Sequence, residues 1–197
     1  MSRRLVVATL NAAKGRELAK ALARLPFEVV LLGDLPGASL PPEGERSYVG
    51  NALAKARSAA RLVGAVALAD DSGLEIDALG GLPGVTSARF GGEHLTAAER
   101  CALVLARMRG VAPGRRTARF RCVIALADPT GREDTAEGTV EGEIAEAARG
   151  TGGFGYDPIF VYPPLARTFA ELPPAVKAEL SHRAVALRAA AERLARW

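Results

Sequence analysis

Lysine and the side-chain carboxamides are almost missing from this sequence. Four lysines (Lys14, Lys20, Lys55 and Lys177) stand against 22 arginines; there are two asparagines, Asn11 and Asn51, and no glutamine. An excess of Ala, Arg and Gly of this kind reads as a mutational bias that replaces Lys and Asn wherever chemistry tolerates it. The survivors therefore mark positions where an ammonium or a carboxamide is required, with Lys20, on an ordinary helix face, as the exception. Cysteine is also scarce: Cys101 and Cys122 lie in apolar stretches without metal-ligand spacing. That excludes a disulfide framework or a thiolate metal site and implies core thiols in a reducing compartment. Only a few apolar residues separate Ser2-Arg3-Arg4 from Asn11, too few for a signal peptide or a membrane span, so a cytoplasmic protein with no membrane partner is expected. Aromatics make up 5% of the chain, and the net charge of +4 is spread among acidic residues. Without a basic run or interleaved aromatic rings, a nucleic acid polymer is not an expected partner.

What is present suits a single domain over residues 1–197, since 49% of the side chains are hydrophobic, enough to bury a core without staples. Leu5 to Ala8 reads as a buried strand, followed by a polar turn and an amphipathic stretch from Lys14 to Leu25. Glu28 to Leu32 is a second strand, leading into a Gly/Pro-rich loop from Gly33 to Gly44. Ser47 is placed to cap a helix through about Leu62, and Val66 to Ala69 is a strand ending at Asp70-Asp71-Ser72-Gly73. A glycine-rich segment, Gly80 to Gly92, precedes a helix for which Thr96 and Glu99 form a capping box. Phe120–Ala127 and Thr135–Ile144 read as a hairpin about Asp128-Pro129-Thr130-Gly131. Gly150 to Asp157 is a second glycine-rich loop, Ile159 to Val161 a short strand, and Ala184 to Arg196 a closing helix. The pattern predicts an α/β fold with a mixed sheet.

Five constellations can carry chemistry. Thr9-Leu10-Asn11-Ala12-Ala13-Lys14 lies between a strand and a helix N-terminus, where free backbone donors and the helix dipole favour a phosphate. Its spacing is not that of a P-loop, and the plain structural alternative is that Thr9 or Asn11 only caps the helix. Asn51 and Lys55, four apart, share a helix face, so Lys55 can reach the same phosphates as Lys14. Glu43 precedes them in the loop. Asp70 and Asp71 follow a strand, well placed for a magnesium ion and for accepting a proton from water. Neighbouring strand residues point to opposite faces, so only one of the two enters the site. Turn formation by Asp-Ser-Gly is the structural alternative. Gly150 to Pro158 lets backbone approach a ligand and offers Phe154 as a stacking surface. Lys177 with Ser181-His182-Arg183 collects donors able to read a base edge.

These blocks, in this order and across nearly the whole chain, resemble the Ham1-like inosine triphosphate pyrophosphatase family, the XTP/dITP diphosphatases. Leu82-Pro83-Gly84 and Ser87-Ala88-Arg89 belong to the same resemblance. It implies an elongated mixed sheet flanked by helices, two lobes with a nucleotide cleft between them, and a homodimer. It implies that non-standard purine triphosphates (dITP, ITP, XTP) are cut to monophosphate and pyrophosphate with Mg²⁺ as cofactor. Thr9, Asn11, Lys14 and Lys55 would bind the triphosphate, and Asp71 would be proton acceptor and metal ligand. Glu43 would be the second metal ligand, with Glu45 as the alternative register, because Glu43-Gly44-Glu45 stands where the family has Glu-Thr-Gly. Ser72, Phe154, Gly155, Tyr156, Asp157, Lys177, His182 and Arg183 would contact the nucleotide. The alternatives are a Maf-like pyrophosphatase of different base preference and a non-catalytic nucleotide- or RNA-binding module.

Overall fold

The structure, a computed structural model, describes residues 3–23, 25–42, 44 and 47–197. In chain order it contains β1 (Arg3–Val7), α1 (Ala12–Leu22), β2 (Phe27–Leu31), α2 (Tyr48–Val63) and β3 (Val66–Ile76). These are followed by α3 (Ala97–Arg107), β4 (Thr117–Ala127), β5 (Glu133–Ile144), β6 (Phe160–Tyr162), β7 (Arg167–Thr168), α4 (Pro174–Leu180) and α5 (His182–Leu194). The strands form one sheet in the order β2-β1-β3-β4-β5-β6-β7. β1 runs parallel to β2 and β3, with Val7 opposite Leu31 and Leu68. β5–β6 and β6–β7 are antiparallel, so the sheet is mixed, as the sequence predicts.

Helix starts follow the expected side chains. Ser47 Oγ accepts from Gly50 N at 3.0 Å. Thr96 and Glu99 form the reciprocal capping box. α1 begins two residues before the expected Lys14, because Asn11 is its N-cap, and stops at Leu22, short of Leu25. The largest difference is β3. It does not end at Ala69 but continues through Asp70-Asp71-Ser72-Gly73 to Ile76. Asp-Ser-Gly is a turn signal in sequence; here the two buried acids have cationic or amide partners, and the ladder continues through them.

The chain divides into two compact units. The first takes in the residues up to Asp71, Cys122–Gly138 and Arg183–Trp197; the second takes in Ser72–Arg121 and Thr139–His182. In the first, Leu18 and Leu22 of α1 and Ala186, Leu187, Ala190 and Leu194 of α5 pack with Leu5, Val7, Leu68, Ile124 and Leu126 of the strands. Val6, between two members of this cluster and equally buried, turns to the other face of β1, the strand against which α2 packs. α2 presents Ala52, Ala56, Ala59 and Ala60, all fully buried, at helical spacing. The Cys122 thiol lies fully inside this unit, and burial pushes its pKa up to about 12.

The second unit is centred on rings. Phe120 lies 4.4 Å from Phe160 and 4.7 Å from the imidazole of His182, and Phe160 lies 5.0 Å from Phe169. Its other fixed point is Arg116, 7% exposed. The guanidinium donates from Nε to Ile144 O (2.7 Å) and from Nη2 to Ala145 O (2.8 Å). From Nη1 it donates to Met108 O (3.0 Å) and Val111 O (3.3 Å), which joins the end of α3 to the end of β5. Arg116→Lys keeps the charge but loses the planar fork, leaving buried carbonyls unpaired at about 1 to 3 kcal/mol each. The urea midpoint should fall with the slope of the transition unchanged, and an unaltered midpoint would show that lysine or water satisfies the same carbonyls.

Candidate active site

The first unit gathers Lys14, Lys55, Asp70, Asp71 and Arg183. β1 leads into the Thr9–Lys14 loop, where Thr9 Oγ1 accepts from Asn11 N at 3.2 Å. Asn11 Oδ1 accepts from Ala13 N (3.0 Å) and Lys14 N (3.1 Å), so the carboxamide occupies the donors at the start of α1. Lys14 reaches inward, its Nζ 3.0 Å from Asp70 Oδ2. On α2 the four-residue spacing of Asn51 and Lys55 brings both to Asp71: Asn51 Nδ2 donates to Oδ2 (3.0 Å) and Lys55 Nζ to Oδ1 (3.2 Å). Alternation along β3 thus sends Asp71 to α2 and Asp70 to α1.

Asp70 also receives Arg183, whose Nε lies 3.3 Å from the same Oδ2, while Arg183 Nη1 donates to Glu17 Oε2 at 2.8 Å. Burial on its own would raise the pKa of Asp70. The charges of Lys14, Arg183 and Lys55 outweigh that and hold the carboxyl well below the usual aspartate range. Arg183, also fully enclosed, is disfavoured as a cation by burial and favoured by Asp70 and Glu17, with the balance raised.

In the second unit Ser72 is half-buried, and the glycine loop is held by its own Asp157 and by Lys177 of α4. The Asp157 carboxylate accepts from Phe154 N (2.8 Å) and from Lys177 Nζ, and that ammonium sits 4.7 Å from the centre of the Phe154 ring. Gly153 has φ +71°, and a Cβ there would meet Asp157 Oδ2 at 2.0 Å, so the loop admits only glycine. Tyr156 donates its hydroxyl to Ser87 O (2.8 Å), and Cys101 Sγ contacts Gly155 O (3.3 Å). Burial, with Asp157 nearby, raises the Cys101 thiol to about 11.

The sequence reading thus meets the structure unevenly. Lys14, Asn51, Lys55, Asp71 and Arg183 fall in the first unit, and Ser72, Phe154, Gly155, Tyr156, Asp157, Lys177 and His182 in the second. Glu43 and Glu45 lie outside the described residues. Two participants went unread. The sequence argument admits only one of the two adjacent acids to the site, whereas strand alternation supplies each with its own set of partners. Glu17 carries one signal, its position three residues after Lys14 and so on the same face of α1.

Buried carboxylates paired to lysines beside a helix-start loop on an α/β sheet define a protein that handles phosphate-bearing ligands. A sequence profile of the Ham1 family matches residues 5–193, and the chain belongs to that family. It is 49% identical over 193 residues to the dITP/XTP pyrophosphatase of Desulforamulus reducens, covering 98% of this chain and 96% of that protein. The dITP/XTP pyrophosphatase of Thermus thermophilus is 49% identical over 189 residues, covering 96% of this chain and 90% of the relative. Among solved structures, a HAM1 protein from Coxiella burnetii superposes with a TM-score of 0.88 at 40% identity, covering 99% of this chain and all of that one. A nucleoside-triphosphatase / dITP/XTP pyrophosphatase from Mycobacterium abscessus gives 0.77 at 43% identity, over 95% of this chain and 98% of the other.

Phosphohydrolases commonly use a divalent metal. Among the described residues no group of three His, Cys, Asp or Glu side chains is arranged to hold an ion. Asp71, a buried carboxylate offering hard oxygen donors, fits an ion that takes one or two protein carboxylates and fills its remaining positions from water and phosphate.

Removing the Asp70 charge should be costly to the fold. Asp70→Asn leaves Lys14 and Arg183 without their shared counter-ion, and breaking a buried pair costs about 3 to 5 kcal/mol. In the wild type that contribution is present above the ordinary aspartate value of 3.8 and is lost as the pH falls, since the folded-state pKa is lowered. Chemical denaturation at neutral and acid pH measures both, and an Asn variant as stable as the wild type at neutral pH would remove Asp70 from this role.

Proposed function

We propose that this protein hydrolyses non-standard purine nucleoside triphosphates, dITP, ITP and XTP among them, to the monophosphate and pyrophosphate, clearing them from the nucleotide pool. The observation that carries the reading is the pair of consecutive acids on β3, each holding a lysine, in a chain of the Ham1 family. A binding module gains nothing from carboxylates at a phosphate site, and family membership leaves the Maf-like alternative without support.

In this reading Asp71, held by Asn51 and Lys55, accepts a proton from the water that attacks the α-phosphorus. The new P–O bond forms as the bond to the α–β bridging oxygen breaks, and pyrophosphate leaves with its charge met by Lys14 and Lys55. Asp71 and Glu43 would hold Mg²⁺, which would supply positive charge against the phosphate oxygens. Thr9 and Asn11 belong to the triphosphate. The nucleotide contacts are Ser72, Phe154 to Asp157, Lys177, His182 and Arg183. Arg183 is the base-reading residue: a guanidinium has donors only, so it matches the 6-oxo group of hypoxanthine or xanthine and clashes with the 6-amino group of adenine. The same reading makes the protein a cytoplasmic homodimer. Among the described residues no helix is long and apolar enough to cross a membrane.

Pyrophosphate release across a panel of nucleotides, with and without Mg²⁺, tests the reading as a whole. Asp71→Asn should lower turnover by roughly 10² or more, the size of a general-base contribution. A variant hydrolysing dITP at the wild-type rate would make the base assignment wrong.

The lysines offer a separate test. The Lys55 side chain is 8% exposed and seated on Asp71, and Lys14 is seated on Asp70, whereas Lys20 is exposed. Lys14→Arg and Lys55→Arg should impair kcat/KM while Lys20→Arg should not, because a bulkier, flat cation does not fit either seat. Equal tolerance at all three positions would reduce the retained lysines to chance.

A further inference from the structure

The loop that carries Phe154 is rich in glycine, with Gly150, Gly152, Gly153 and Gly155, and its first stretch, residues 150–153, is exposed. Such a segment has the most backbone freedom to lose on ordering and few side chains to pack, so its anchors must come from elsewhere in the chain. The base of the loop is closed by Arg149 N, which donates to Pro158 O at 2.9 Å. Its first half is seated on the segment that follows β7. Thr168 Oγ1 donates to Arg149 O at 2.8 Å, and Gly152 N donates to Ala170 O at 3.0 Å. The approach is close: a Cβ on Gly150 would meet the Ala170 carbonyl carbon at 2.5 Å, and one on Gly152 would stand 3.0 Å from Ala170 O.

Thr168 is the centre of that seat. It is fully buried, and its hydroxyl, while donating to Arg149 O, accepts from the backbone N–H of Glu171. The Glu171 carboxylate in turn accepts from Thr168 N at 2.7 Å. A hydroxyl donates and accepts at once, whereas a methyl group in its place does neither. The neighbouring Phe169 is fully buried in the ring cluster, 5.0 Å from Phe160, so the seat stands on packed ground. Further along, Lys177 of α4 grips the other end of the loop through Asp157, its ammonium 4.7 Å from the centre of the Phe154 ring. One continuous segment, Thr168 to Lys177, therefore holds both ends of the loop, with Phe154 between them.

We propose that Thr168 is a positioning residue for nucleoside binding, holding the glycine loop against residues 168–171 so that the Phe154 ring is set in place before the base arrives. The inference rests on the reading of Phe154 as a nucleotide contact. A loop fixed in advance need not be ordered by its ligand, a gain felt by ligands that carry a base and not by a bare polyphosphate.

The test measures by calorimetry the Kd of dIMP and of inorganic pyrophosphate, one ligand with a base and one without, and KM for dITP by pyrophosphate release. The proteins are the wild type, Thr168→Val, Thr168→Ser, Phe154→Ala and the Thr168→Val/Phe154→Ala double variant, each checked for folding by thermal denaturation. Thr168→Val should raise Kd for dIMP and KM for dITP by about fivefold or more, the size of a lost hydrogen bond, and leave Kd for pyrophosphate unchanged. Thr168→Ser, which keeps the hydroxyl, should restore the wild-type values. The double variant should bind dIMP no more weakly than Phe154→Ala, as expected of residues acting through one another. If Thr168→Val does not fold, Gly152→Ala, which presses the loop off Ala170 O with the hydroxyl intact, should give the same split between dIMP and pyrophosphate. Equal weakening of both ligands would overturn the proposal by reducing Thr168 to a general support of the fold. So would dIMP binding that is unchanged in Thr168→Val but weakened in Phe154→Ala. Unchanged dIMP binding in Phe154→Ala would remove Phe154 from the nucleotide contacts and the proposal with it. Because dIMP binding needs no turnover, failure of the hydrolysis reading and failure of this proposal are told apart.

Discussion

The first unit depends on one oxygen atom. Asp70 Oδ2 is the common partner of a lysine from the first helix and an arginine from the last, and it stands on a strand between them in chain order. Burying an isolated carboxylate is prohibitive, and burying Lys14 or Arg183 alone scarcely less so. Brought together they become tolerable only as a set, so the positions of α1, β3 and α5 are fixed by mutual need as well as by the apolar cluster of Leu18, Leu22, Ala186 and Ala190 behind them. Such a network adds little net stability over a hydrophobic replacement of the same shape; what it supplies is a single allowed arrangement.

Much of this was legible in the sequence, for local reasons. Ser47, Thr96 and Glu99 act on backbone within their own turn, so their capping roles could be read from order alone. The convergence of Asn51 and Lys55 on one partner follows from the helical repeat. The scarcity of lysine and asparagine was informative because composition made each survivor improbable; Lys14, Lys55, Asn51 and Asn11 all have specific polar partners in the structure.

What could not be read depends on contacts distant in sequence. The sequence ends this strand at Ala69, where Asp-Ser-Gly is a turn signal, because the residues that neutralise the buried acids lie far off, 113 positions away in the case of Arg183 and Asp70. Glu17 looked like any helix-face glutamate for the same reason. α4 has no counterpart in the sequence reading; its first residue is Pro174, at a position where a missing N–H costs nothing.

The pleat of β3 has an evolutionary corollary. Asp70 and Asp71 are one residue apart, but each belongs to its own set of partners: Lys14 and Arg183 for one, Asn51 and Lys55 for the other. A substitution at one acid therefore strips partners from a different group of side chains than a substitution at its neighbour, so the two adjacent positions drift under separate constraints.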